Sequence, residues 1–116
     1  MSEVTIFHNP RCSKSRQTLA LLEAKGIQPQ IFEYLKEALS ADDIKDLLRK
    51  LGFVSARELM RSKEDAYKEL QLKDENDEDK LIAAMVEHPK LIERPVVIKG
   101  EHARLGRPPE AVEEIL

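Results

Sequence analysis

Val4-Thr5-Ile6-Phe7-His8-Asn9-Pro10-Arg11-Cys12-Ser13-Lys14-Ser15-Arg16 decides how the chain begins to fold. Val4, Ile6 and Phe7 form a short β-prone run, which Asn9-Pro10 stops. A helix should follow, with Leu19, Leu22 and Leu21 toward its apolar side and Lys25-Gly26 closing it. Gln30 to Leu35 reads as a second strand, because Ile31, Phe32 and Tyr34 favour extended backbone. The opening segment is thus a β-α-β unit, which implies parallel strands joined by a right-handed crossover.

Beyond it the pattern turns helical. Ser40 is a candidate N-cap, and Ile44, Leu47, Leu48 and Leu51 fall at i, i+3, i+4, i+7 before Gly52. Ser55-Ala56-Arg57-Glu58 has capping-box spacing and should open a short helix toward Leu59 and Met60. Asp74 to Asp79 reads as a solvated loop whose last carboxylates favour a helix start. Leu81, Ile82, Met85 and Val86 supply the apolar face of that next helix, which ends near His88-Pro89. Val96, Val97 and Ile98 then form a strand, Lys99-Gly100-Glu101 a tight turn, and His102 to Leu105 a return strand. Pro108-Pro109 begins a final helix that buries Val112, Ile115 and Leu116. The order is β-α-β, helical insertion over roughly residues 40–90, then β-β-α. This is an α/β chain on the thioredoxin-like plan, read as one domain over residues 1–116.

Composition narrows the function. A net charge of -3 gives no electrostatic footprint for nucleic acid. No apolar run approaches the roughly 18 residues of a membrane span. The N-terminus lacks the basic and then apolar sections of a signal peptide, so a cytoplasmic protein is expected. A single cysteine excludes an internal disulfide, and one Cys with three scattered His has no metal-ligand spacing.

That cysteine carries the chemistry. Cys12 follows a strand and a proline loop, which places it at a helix N-terminus, where backbone N–H groups and the helix dipole favour an anion. Arg11, Lys14 and Arg16 add cations beside it, and both effects favour the thiolate. Lowering a thiol pKa from about 8.5 to about 6.5 raises the ionised fraction at pH 7 from about 3% to roughly three-quarters. His8 stands at the strand end, either holding the loop or supporting the thiolate. Cys12-Ser13-Lys14-Ser15 has Cys-x-x-Cys spacing with serine in second place. No other cysteine in the chain can release a Cys12 adduct, so an outside thiol must do so, glutathione and then glutaredoxin being the expected pair.

His8-Asn9-Pro10-Arg11-Cys12-Ser13-Lys14-Ser15-Arg16 resembles the glutaredoxin-coupled arsenate reductase family. The likeness continues through Ser55-Ala56-Arg57-Glu58-Leu59-Met60-Arg61, Ile92-Glu93-Arg94-Pro95-Val96-Val97 and Gly106-Arg107-Pro108-Pro109. Four ordered blocks span nearly the whole chain, and the short arsenate-reductase-like branch is the most similar. The resemblance implies a thioredoxin-like fold with a helical insertion, a nucleophile at Cys12, and oxyanion-binding arginines at Arg61, Arg94 and Arg107. It also gives Pro95 a meaning, as the cis-proline that faces the active cysteine in such folds. The activity implied is reduction of arsenate, or a similar oxyanion, to arsenite. A thiol-arsenate adduct forms on Cys12, glutathione is the reducing co-substrate, and no bound cofactor is needed. Guanidinium forks suit the several acceptor oxygens of such an anion.

Two other readings use the same residues. A monothiol glutaredoxin-like oxidoreductase would act on glutathione mixed disulfides through Cys12 without arsenate. A non-catalytic, polymerase-binding redox adaptor would need a Cys-x-x-Cys switch, whose second cysteine is Ser15 here.

Overall fold

A computed structural model describes residues 4–37 and 39–116. Met1-Ser2-Glu3, part of the N-terminus read above as free of a leader, lie outside the described residues. The chain forms two compact units: one from the segment ending at Glu37 together with Arg94–Leu116, the other from the segment ending at Glu93.

The first unit holds a four-stranded sheet. β1 (Val4–Phe7), β2 (Gln30–Phe32), β3 (Val96–Lys99) and β4 (His102–Leu105) are ordered β2-β1-β3-β4. β1 and β2 are parallel, with Ile6 opposite Ile31, as the β-α-β reading requires. β3 runs antiparallel to both β1 and β4, with Ile6 opposite Val97 and Ile98 opposite Ala103. Lys99 faces His102 across a two-residue turn, in which Gly100 takes φ +60°, a conformation glycine adopts without a Cβ clash.

α1 (Ser13–Ala24) connects β1 to β2. Val4, Ile6, Leu22, Val97 and Val112 form the buried core of this unit, with Leu19, Leu21, Ile27, Ile115 and Leu116 packed against it. The most buried positions of α1 are Ser15, Thr18 and Leu22, spaced i, i+3, i+7, so two of the three are polar. Leucine periodicity alone therefore reads the face slightly rotated.

Two expectations need correction. β2 stops at Phe32 instead of Leu35, because residues 33–37 turn, with Lys36 and Glu37 N–H groups donating to the Glu33 carbonyl. Tyr34 is fully buried in that turn and stacks on Phe7, so its aromatic character serves packing and not strand pairing. The C-terminal helix over Pro109–Ile115 is 3₁₀ and not α, the tighter form common in short terminal pieces.

The second unit is helical. α2 (Ala41–Leu51) begins with a reciprocal capping box: Asp43 N–H donates to Ser40 Oγ at 3.1 Å, and Ser40 N–H to Asp43 Oδ2 at 2.9 Å. Gly52 ends it in the left-handed region. Ile44, Leu47 and Leu51 are its buried face, and it packs on α4 (Glu78–Glu87), which buries Leu81, Ile82, Ala84 and Met85.

The Ser55 box opens the 3₁₀-helix Ala56–Leu59. Glu78 joins that helix to the start of α4, accepting from Ser55 Oγ at 2.6 Å and Ala56 N–H at 2.9 Å. Among the pieces that escape the sequence reading are α3 (Asp65–Glu69) and the 3₁₀-helix Leu72–Asp74. Both are short, and Arg57 secures them: its guanidinium donates to Tyr67 Oη, the Leu72 carbonyl and the Glu75 carbonyl. Met60 and Ile92 form an isolated antiparallel bridge, flanked by Arg61 N–H to Leu91 O and Glu93 N–H to Leu59 O, both at 2.7 Å. That pairing fixes the backbone of Arg61.

Candidate active site

Cys12 is the N-cap of α1, with extended φ/ψ of -94° and 123°. Its N–H donates to the Asn9 carbonyl at 3.0 Å, and its carbonyl accepts from Arg16 N–H at 3.0 Å. The loop is therefore closed on both sides of the thiol, and the first free N–H groups of α1 are directed at the sulfur.

The electrostatics follow from that placement. Partial burial pushes the Cys12 thiol up, but the backbone N–H of Ser15, the Arg94 guanidinium and the backbone N–H of Lys14 together hold it below the ordinary thiol value. Arg107 adds a second guanidinium, with Nη2 3.9 Å from Sγ and Nε donating to the Arg94 carbonyl at 2.8 Å. Arg94 Nε is buried without a hydrogen-bond partner. Within this unit, then, two arginines separated by 13 residues converge on one sulfur.

The local cations of the Cys12 loop take different places. Lys14 acts through its backbone N–H. Arg16 Nη1 donates to the Pro10 carbonyl at 2.9 Å, bracing the loop. Arg11 N–H donates to Asn9 Oδ1, and Ser13 is the exposed first residue of α1. Ser15 is fully buried, with Oγ 2.6 Å from His8 Nδ1 and accepting from Asn9 N–H at 3.0 Å. Burial lowers the His8 pKa, Glu33 opposes the shift and Arg16 adds to it, so the ring is neutral near pH 7. A neutral ring pairs with the Ser15 hydroxyl through Nδ1 in either tautomer, while Oγ also accepts from Asn9 N–H. His8 thus belongs to the loop scaffold.

Pro95 is cis, and so is Pro108, which the sequence reading took only as a helix start. Asn9, Thr18 and Gly106 were given no role at the site there. A Cβ on Gly106 would sit 2.5 Å from Thr18 Oγ1 and 2.6 Å from Pro95 Cγ, so glycine lets the chain leading to Arg107 close against Pro95. A lone glycine before Arg107-Pro108-Pro109 gives no sign of this in sequence.

In the second unit, Arg61 Nε lies 3.2 Å from Glu64 Oε1, and Arg61 Nη1 is buried without a hydrogen-bond partner. Among the described residues no group of three or more His, Cys, Asp or Glu could hold a metal ion, and no helix is long and apolar enough to cross a membrane.

The model of the ArsC family matches residues 7–115. The chain belongs to the ArsC family. It is 56% identical to the uncharacterized protein YfgD of Escherichia coli K12, over 98% of this chain and 97% of that protein. It is 51% identical to an arsenate reductase of Haemophilus influenzae, over 97% of this chain and 98% of the relative. A solved arsenate reductase structure from Vibrio cholerae superposes with a TM-score of 0.95 at 56% identity, covering 97% of each chain. This ArsC chain therefore has the thioredoxin-like arsenate reductase fold.

Proposed function

We propose that this ArsC protein is a cytoplasmic arsenate reductase that depends on glutathione and glutaredoxin. Cys12 is its nucleophile, and Arg61, Arg94 and Arg107 bind the oxyanion. The single observation that carries the reading is the convergence of Arg94, Arg107 and the Ser15 and Lys14 N–H groups on a thiol held below its ordinary pKa. A thiolate beside two guanidinium groups can attack an anion that the same groups neutralise. For Arg61 the support is its sequence block and a guanidinium whose Nη1 is buried without a hydrogen-bond partner.

In the proposed reaction the Cys12 thiolate displaces hydroxide from arsenic, which leaves as water after protonation, and forms an S–As bond. The arginines stabilise the charge that develops as oxygen departs. Glutathione then attacks the Cys12 sulfur. The S–As bond breaks, its electron pair reduces As(V) to As(III), arsenite leaves, and a Cys12–glutathione disulfide remains. A glutaredoxin thiol takes up the glutathione and frees Cys12. Arsenite release measured with arsenate, glutathione and glutaredoxin tests this. Turnover should be lost in Cys12→Ser, and wild-type turnover no higher than that variant would overturn the proposal.

A further inference from the structure

Glu64 is the N-cap residue of α3, where a carboxylate would ordinarily accept from the helix's own N–H groups. It makes no such bond. The backbone turns from Arg61 to Glu64, with Glu64 N–H donating to the Arg61 carbonyl at 3.2 Å, and the carboxylate meets the guanidinium instead, Oε1 lying 3.2 Å from Nε. Both side chains are largely shielded, at 22% and 27% exposure, whereas Lys25–Glu113, Lys45–Asp79 and Arg49–Asp46 are more than 40% exposed on both sides.

Two features of this pair fit a ligand better than simple stability. First, the contact balances charge without satisfying the donors: Arg61 Nε and Nη1 are both buried with no hydrogen bond of good geometry. Buried donors left unsatisfied are costly, so an acceptor-rich anion at this guanidinium would complete it. Second, a carboxylate already pressed on the guanidinium repels that incoming anion, and Coulomb repulsion scales with the anion's charge.

We propose that Glu64 is a positioning residue that sets specificity: it holds the Arg61 guanidinium in place and biases the site toward singly charged over doubly charged oxyanions. The inference rests on the reading of Arg61 as an oxyanion-binding residue. Arsenate exchanges between these two charge states near neutral pH, so Glu64 would select the singly charged form.

Sulfate and perchlorate provide the test, being tetrahedral oxyanions of similar shape that differ by one charge. Their affinities are read from the protection each gives Cys12 against alkylation by iodoacetamide, in wild type, Glu64→Gln and Glu64→Ala. One carboxylate facing the anion in a partly shielded and salt-screened setting corresponds to about fivefold in affinity per ligand charge. Loss of positioning weakens both anions alike, whereas loss of the negative charge favours sulfate over perchlorate, so both variants should raise the sulfate-to-perchlorate preference about fivefold. A merely structural Glu64 would weaken both anions together, most in Glu64→Ala, and leave the ratio unchanged; that result overturns the inference. Absence of protection by either anion in wild type would overturn the reading of the oxyanion site, and the inference with it.

Discussion

Gly106→Ala adds one methyl group where Thr18 and Pro95 leave no room for it. The new Cβ would stand 2.5 Å from Thr18 Oγ1, 2.6 Å from Pro95 Cγ and 3.3 Å from Pro95 Cδ. Neither neighbour can swing aside. Thr18 is fully buried with its hydroxyl donating to the Lys14 carbonyl at 2.8 Å, and Pro95 is a buried ring. Gly106 is not among the glycines with positive φ, so the penalty is contact and not backbone conformation. Overpacking of this kind costs typically 1–3 kcal/mol, and two rigid neighbours place this site near or above about 3 kcal/mol.

Urea unfolding followed by far-UV circular dichroism measures that loss. Thr18→Ala alone should cost about 1 kcal/mol, for the hydroxyl and its hydrogen bond. In the double variant the alanine methyl meets one obstacle fewer, so the combined loss should fall short of the sum by about 1 kcal/mol. Gly106→Ala within about 0.5 kcal/mol of wild type, or full additivity with Thr18→Ala, would refute the reasoning. The same methyl pushes on Pro95 and on the chain leading to Arg107, so Cys12 alkylation should slow as well.

Other expectations follow from the same contacts. Arg94→Ala removes a guanidinium that holds the Cys12 thiol down, so its titration midpoint, read from the pH dependence of alkylation, should move upward. Because the folded thiol titrates below its ordinary value, its contribution to stability is complete above the unfolded pKa and is lost as pH falls through the folded one. Cys12→Ser should flatten that part of the stability–pH curve. Arg57→Ala leaves the Leu72 and Glu75 carbonyls and the Tyr67 hydroxyl without their shared donor, and should cost about 2–4 kcal/mol in urea unfolding. Tyr67→Phe removes one of those bonds and should cost about 1 kcal/mol.

Regular elements were legible in the sequence where local signals agree. The Ser40 cap, the Ser55 box, the α2 face and the Gly100 turn all combine a cap or turn residue with apolar periodicity. Cys12 at a helix start was legible for the same reason, since a β-prone run, Asn9-Pro10 and a helix-forming stretch follow in order. Arg94 and Arg107 were reached only through family resemblance, because their approach to Cys12 depends on the pairing of distant strands that no local pattern encodes. α3 was missed because five residues show too little periodicity, and its anchor, Arg57, comes from another helix. The buried face of α1 was read too apolar, since Ser15 and Thr18 are buried by virtue of their hydrogen bonds.

The Ser15 hydroxyl leaves a mark on how this chain can change. Its oxygen accepts from the Asn9 amide and its hydroxyl pairs with His8 Nδ1, so the side chain where a second thiol would stand already closes the loop that presents Cys12. A sulfur there is larger and a weaker hydrogen-bond partner, and would leave the Asn9 N–H and the His8 ring poorly matched inside the protein. Conversion to a two-thiol protein that resolves its own adducts is therefore not one codon away. His8, Asn9 and Ser15 share that one hydroxyl, so a thiol at position 15 would have to be accommodated by all three.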